Sequence, residues 1–350
     1  MKRFLSIVGL VLLLLIGFGF YMLVFAPNTP SYTGKKSIII FPGASIDSVA
    51  SALYQEGILQ SPTTFVWLAK LTGWEKQLKV GHYLLPSGLS NREILDKLRK
   101  GLQDPVRVTI PAGTRPTRLA ALLGRQLQAD SLAFLQLFRD STFAAQLHTD
   151  TLHLFGYMLP DTYFFYWTAS PEHILRRIKA TFDDFFTPQM QARADSLGLT
   201  KEEVIRLASI VEWETPLDEE KPRVAGVYLN RLRTGMRLQA DPTVQFALMQ
   251  LEGGAMRRLL YKDYRIRHPY NTYLYRGLPP GPITNPDRAS ILAVLYPESH
   301  NYFFFVATGE GGHTFSKTFA EHRRKARAYQ RYLRAKRAEA ARTQATLSNQ

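Results

Sequence analysis

The sequence predicts an α+β chain with one N-terminal transmembrane helix, small α/β modules, and a mixed α+β domain organised around a glutamate-bearing helix. Three observations carry this reading. Phe4 to Phe25 contains no charged residue. A strand–turn–helix pattern occurs three times between residues 37 and 127. The stretch "LTKEEVIRLASIVEWETP" has helical periodicity, a start signal, a stop signal and two carboxylates at its end.

The apolar run is long enough to cross a bilayer as a helix. Lys2 and Arg3 precede it and no basic residue follows until Lys35, which keeps the short N-terminus in the cytoplasm and places the bulk of the chain outside. A cleaved signal peptide would have a shorter apolar region and a small-x-small site, and "MLVFAPNTP" offers none. The chain has 350 residues, 45% hydrophobic and 21% charged, enough for an anchor and two or three domains. It has no cysteine, which excludes disulfides, thiolate–metal sites and cysteine nucleophiles. The net charge of +15 and pI near 9.9 favour an acidic partner. An extracytoplasmic location argues against nucleic acid and leaves anionic lipid or a carboxylate-bearing polymer.

A polar linker, residues 28–36, leads to the three echoes: "SIIIFPGASIDSVASALYQEGIL", "GHYLLPSGLSNREILDKLRKG" and "VRVTIPAGTRPTRLAALLGRQL". Each has an apolar run, a Pro/Gly turn and then helical spacing, with Gly43, Gly88 and Gly113 at equivalent places. Ser45 and Ser90 are candidate N-caps. From Leu122 to Arg193 the chain is mainly helical, broken by "FGYMLPDTYFFYW", whose aromatics suit either a core or a floor for sugar rings. From Phe319 to Arg342 runs a basic helix, read as solvated, with disorder expected at its very end.

Thr200 and Glu203 form a capping box, and Pro216 forces Thr215 out of the helix, so the helix spans Lys201 to Glu214. At 100° per residue, Glu214 extends the stripe of Leu207, Ile210 and Val211. Glu212 lies about 160° away, so the two carboxylates cannot serve one site. A helix C-terminus and apolar neighbours both oppose ionisation of Glu214 and raise its pKa. A carboxyl kept protonated near neutral pH is what a glycosidase-type general acid requires. A surface Glu at a frayed end, or a buried Glu paired with an arginine, fits the same position.

Further blocks follow: "RVAGVYLNRLRTGMRLQADPTVQFAL", "HPYNTYLYRGLPPGPITNPDRASILAVLYP" and "YFFFVATGEGGHTFSKTFAEH". Together with "LASIVEWET" and "GYMLPDTY", these closely resemble the YceG-like family of endolytic murein transglycosylases, over nearly the whole chain. The resemblance implies a LysM-like module at residues 37–105, after an anchor at 1–27 and the linker. It implies a catalytic domain at 106–330 and leaves a basic tail at 331–350. It implies cleavage of the MurNAc-β-1,4-GlcNAc bond of peptidoglycan without water, leaving a 1,6-anhydro-MurNAc end and terminating nascent strands. The family's catalytic glutamate falls on Glu214. One carboxyl suffices because the substrate's own 6-hydroxyl is the nucleophile, where ordinary glycosidases need two.

Gln239, Asp241 and Thr243 in "LQADPT" are candidates for binding sugar hydroxyls or steadying positive charge at C1, or else form an Asp-Pro turn with an Asx-type cap. Asn271 is a candidate for an N-acetyl group, with Tyr270 and Tyr273 as ring faces. "GLPPGPI" is read as a rigid wall of the cleft. His313, with no carboxylate or histidine at metal spacing, is read as structural. No metal and no cofactor is expected. The expected partners are peptidoglycan glycan strands, the membrane, and wall-synthesis proteins. A non-catalytic membrane-tethered peptidoglycan-binding scaffold is the alternative from another class.

Overall fold

The computed structural model describes residues 2–254, 256–309 and 311–348. The chain groups into two compact units. One comprises Met1–Val108, Leu123–Asp130 and Tyr163–Ser170; the other comprises Thr109–Leu122, Ser131–Thr162 and Pro171–Gln350.

The first unit opens with the apolar helix α1 (Lys2–Val24). There follow β1 (Lys35–Ile40), α2 (Ile46–Gln55), α3 (Pro62–Thr72), β2 (Gly81–Pro86) and α4 (Asn91–Lys100). β1 and β2 pair antiparallel, Lys35 opposite Pro86 and Ile40 opposite Gly81. Alternate residues of the two strands, Ile38 and Ile40 with Tyr83 and Leu85, face one side. They meet Leu53, Phe65, Leu68, Ile94 and Leu98 of the helices in a single core. Serines start all three helices: Ser45, Ser61 and Ser90 each accept a hydrogen bond from the third backbone N–H after them. At Ser90 the return bond from Glu93 completes a capping box.

The three echoes are strand–turn–helix units, but their strands find different mates. β1 and β2 pair with each other, whereas β3 (Val106–Ile110), which leads into α5 (Pro116–Gln126), pairs with β4 (Asp161–Phe165). A shared local pattern encodes the turn and the helix start; strand pairing is decided by the apolar faces available elsewhere in the chain. All three turn glycines adopt the left-handed region, with φ of 76°, 84° and 65° at Gly43, Gly88 and Gly113. A side chain at Gly43 or Gly88 would meet open space, but a Cβ on Gly113 would lie 3.2 Å from the Trp213 indole nitrogen.

The aromatic stretch resolves by alternation. Tyr163, Phe165 and Trp167 are buried, whereas Phe164 and Tyr166 between them are exposed. Phe155 and Tyr157 are core residues, edge-on to Phe138 and Phe182.

The second unit continues through α6 (Ser131–Arg139), α7 (Ser141–Gln146), α8 (Pro171–Phe185) and α9 (Pro188–Ser196) to its central helix, α10 (Lys201–Glu214). Thr200 and Glu203 close the capping box that starts α10, and Thr215 ends it in extended conformation before Pro216. Val204, Ile205, Leu207, Ala208, Ile210 and Val211 are all buried. A helix apolar on every side belongs in an interior, and α10 packs against α11 (Lys221–Arg233), α12 (Asp241–Glu252) and α13 (Arg288–Leu295). The chain closes with an antiparallel hairpin, β5 (Phe304–Ala307) and β6 (His313–Ser316), and the basic helix α14 (Phe319–Ser348). The disorder expected at the very end falls on residues 349 and 350, which lie outside the described residues.

Candidate active site

The two glutamates of α10 part company as the helical wheel requires. Glu212 Oε2 accepts from Ser290 Oγ (2.6 Å) and from the Asp287 backbone N–H (3.1 Å), tying α10 to the start of α13. Lys221 Nζ lies 3.6 Å from Glu212, 2.9 Å from Asp287 and 2.8 Å from Asp218. Burial pushes the Glu212 pKa up. Burial also opposes the Lys221 charge, but its hydrogen bonds to Asp218 and Asp287 outweigh that and hold it protonated. Glu212 is part of a structural ion cluster.

Glu214 instead lines a cavity of about 400 Å³, with Tyr228 and Arg231 of α11, Gln239 and Asp241 at the start of α12, and Tyr273. The hairpin and α14 supply the remaining wall, including Phe304, Phe305 and His313. The Tyr228 hydroxyl donates to Glu214 Oε1. Glu214 keeps surface on the cavity, but its carboxyl is packed deeply enough that burial dominates its titration. Burial raises its pKa from 4.5 to about 7; the Tyr228 hydrogen bond pulls it down, the Asp241 charge pushes it up, and Arg231 pulls it down. Burial and the neighbouring Glu214 charge hold the Tyr228 phenol well above its ordinary value, so it remains a donor. Arg231 is buried and donates to backbone carbonyls, from Nε to Phe303 (2.6 Å) and from Nη1 to Leu238 (2.6 Å). Its guanidinium joins the hairpin to the approach of α12 and faces the cavity as a cation.

Three of the sequence candidates meet Glu214 on this cavity: Gln239, Asp241 and Tyr273. Asp241 forms no cap; its carboxylate oxygens accept from the Tyr273 hydroxyl (2.5 Å) and the Tyr264 hydroxyl (3.3 Å). Gln239 has φ of 49°, rare for a residue with a side chain and a mark of local strain. That turn is pinned from behind. The Gln239 N–H donates to Thr272 O, Ala240 N–H to Thr272 Oγ1, and Thr243 Oγ1 to Ala240 O.

The other three candidates do not line the cavity. Thr243 and Asn271 are fully buried. Asn271 Nδ2 donates to Tyr264 O (3.1 Å) and Ile266 O (2.8 Å), and its Oδ1 accepts from Tyr273 N–H (2.9 Å). It therefore positions the two tyrosines that hold Asp241. Tyr270 is buried beside Phe246, with ring centroids 4.6 Å apart, and burial pushes its phenol up to about 12. The proline-rich loop read as a cleft wall packs on α10: Arg206 Nη1 donates to Pro279 O and Ile283 N–H to Ser209 Oγ.

Sequence reasoning missed Tyr228, Arg231 and the cavity side of His313. Tyr228 and Arg231 stand three apart on one face of α11. The available sign was an arginine inside the apolar stretch "VAGVYLNRL" with no acidic neighbour. His313 is held by a carboxylate that spacing could not reveal, because Glu220 lies 93 residues away. Nδ1 is 2.8 Å from Glu220 Oε2, and the His313 backbone N–H donates to Oε1 (2.8 Å). Burial raises the Glu220 pKa, but the His313 side chain and backbone bring it below the ordinary value. Glu220 is thus an ionised acceptor, and Nδ1 carries the proton.

The profile of the YceG-like family matches residues 38–328. A Bacillus subtilis protein named endolytic murein transglycosylase is 31% identical over 317 residues, spanning 86% of this chain and 85% of its own length. A Streptococcus pneumoniae protein of the same name is 29% identical, and the match spans 81% of this chain and 56% of that protein. The crystal structure of a yceG-like protein from Listeria monocytogenes superposes with a TM-score of 0.61 at 28% identity, over 84% of this chain and 99% of that one.

Proposed function

The chain belongs to the YceG-like family, and from that premise we propose that it is an endolytic peptidoglycan transglycosylase. It cuts MurNAc-β-1,4-GlcNAc bonds inside nascent strands, leaves 1,6-anhydro-MurNAc ends and so ends strand growth. Two relatives named endolytic murein transglycosylase support the reaction class. The observation that carries the reading is a carboxyl, Glu214, poised near pH 7 on a cavity beside an aspartate held by two tyrosines.

Protonated Glu214 gives its proton to the glycosidic oxygen as the C1–O bond breaks, and GlcNAc leaves with a free 4-hydroxyl. Positive charge develops at C1. Asp241, fixed by Tyr264 and Tyr273, stabilises it electrostatically. The 6-hydroxyl of the same MurNAc closes onto C1 and returns its proton to the Glu214 carboxylate. The enzyme is restored and no water is consumed. During the interval in which Glu214 is ionised, Tyr228 and Arg231 carry its charge. Gln239 and His313 are placed to bind sugar hydroxyls or acetamido groups.

α1 anchors the chain in the cell (inner) membrane, with the remainder outside. The region at 37–105 binds or orients glycan, the catalytic domain occupies 106–330, and wall-synthesis proteins are its neighbours. Mass spectrometry of digested glycan strands tests the proposal. Anhydro ends are expected; hydrated reducing ends would make the protein a hydrolase, and uncut strands would make it a scaffold.

The pKa of Glu214 sets the pH dependence. The acid form starts the reaction, so turnover should hold below pH 7 and fall as pH rises through about 7. Tyr228→Phe removes a donor that favours the carboxylate, so the alkaline limb should move upward by about one pH unit. A limb that moved downward, or stayed, would remove Tyr228 from this role.

A further inference from the structure

The segment that joins α1 to β1, read from sequence as a polar linker, is packed at its start. Asn28 and Thr29 are buried. Asn28 Nδ2 donates to Ser61 O (2.8 Å) and Asn91 Oδ1 (2.6 Å), while its Oδ1 accepts from Ser61 N–H (2.8 Å). Asn91 Nδ2 donates to Leu23 O (2.9 Å), a carbonyl in the last turn of α1 that lacks an intrahelical partner. Leu89 O accepts from the N–H groups of Asn28 and Thr29, and Leu89 N–H donates to Thr29 Oγ1. The apolar helix thus enters its unit through a fixed joint.

Beside that joint, α3 meets the apolar helix. One cavity of about 380 Å³ is lined by Gly19, Met22 and Leu23 of α1 together with Thr64 and Trp67 of α3. Trp67 and Leu71, four residues apart and hence on one face, are 64% and 74% exposed. No acidic residue occurs in α3, and its single charge is Lys70. Phe20, Tyr21 and Phe25 of the adjoining stretch are also exposed.

Length decides what covers this face. The apolar span Phe4–Val24 has 21 residues, about 32 Å at 1.5 Å per residue, which matches a hydrocarbon core of about 30 Å. The part that precedes the contact with α3, Phe4 to Phe18, reaches only about 22 Å. A bilayer that stopped short of α3 would leave the helix too short to cross it. We infer that the outer face of α3 lies in the outer boundary of the bilayer that α1 crosses, with Trp67 at headgroup level and Leu71 against the acyl chains. Tryptophan suits that position because its ring is apolar and its N–H is polar. The inference rests on the reading of α1 as a membrane-spanning helix.

The absence of cysteine makes the test clean. The full-length chain carrying Leu71→Cys, Phe18→Cys or Tyr54→Cys is spin-labelled and reconstituted alone in phosphatidylcholine–phosphatidylglycerol nanodiscs. Collisions with oxygen, which partitions into lipid, are compared with collisions with a water-soluble nickel chelate. The label at Leu71 should resemble that at Phe18, rich in oxygen contact and several-fold poorer in nickel contact than one at Tyr54, an exposed residue of α2. A Leu71 label open to nickel while Phe18 is shielded overturns the inference and leaves the anchor standing. Shielding of Leu71 from both reagents means protein covers it, which also overturns it. A Phe18 label open to nickel removes the anchor reading and the inference together.

Discussion

Glu214→Gln should abolish strand cleavage, with a loss at or beyond the upper end of the roughly 10²–10⁴-fold range of general acid–base catalysis, because the proposed mechanism gives one carboxyl both proton transfers. Glutamine still accepts the Tyr228 hydrogen bond but delivers no proton. Stability separates this from misfolding. The folded pKa of Glu214 is raised to about 7 from 4.5. The wild-type contribution is therefore fully present below pH 4.5 and is lost as pH rises through 7. Glu214→Gln escapes that loss and should be at least as stable as wild type at pH 8. Glu212→Gln, facing Ser290 and Asp287, should retain most activity. Quantified anhydro-muropeptides from the same glycan, with matched circular dichroism, give the comparison. A tenth of wild-type activity surviving in Glu214→Gln would end the one-carboxyl mechanism.

Lys221→Met should destabilise the protein by roughly 3 kcal/mol at pH 7, the scale for stripping one partner from a buried ion cluster. The Lys221 side chain is 3% exposed, and its ammonium faces Glu212, Asp287 and Asp218, whose side chains are 10%, 28% and 69% exposed. Its loss leaves two enclosed carboxylates without a cation, and one of them anchors α10 to α13. The deficit should shrink below pH 5 as these carboxylates protonate, and Lys221→Arg should recover much of it. Thermal unfolding at both pH values measures this. An unchanged midpoint at pH 7 would mean that the cluster behaves like a surface ion pair, worth little.

The parts of this architecture that were legible in sequence are local ones. The caps at Ser45, Ser90 and Thr200 and the stop at Pro216 act over a few residues, so each is visible where it acts. The orientation of Glu214 away from Glu212 follows from helix geometry alone. The cavity is a different matter: Glu214, Tyr228, Asp241, Tyr273 and His313 come together only through tertiary packing. A buried asparagine or threonine looks alike in sequence whether it grips a ligand or a backbone carbonyl, because both tasks use the same donors. That is why Asn271 and Thr243, candidates for sugar contacts by sequence, lie buried behind the cavity and hold its lining in place. The partner of His313 went unseen for the complementary reason: Glu220 is remote in sequence.

Gly113 gives the three echoes unequal freedom to drift. At Gly43 and Gly88 only the backbone conformation restricts replacement, and a residue tolerant of the left-handed region, such as asparagine, has room. At Gly113 the space itself is taken. Its carbonyl accepts from the Trp213 indole N–H (3.0 Å), and a methyl group there would press on Trp213 and reach the Glu212 side chain. Trp213 stands between the two glutamates of α10, so the placement of Glu214 descends in part from a turn a hundred residues earlier in the chain. The first two turns have room for a side chain, whereas the third is closed by the residue that stands next to Glu214 on α10.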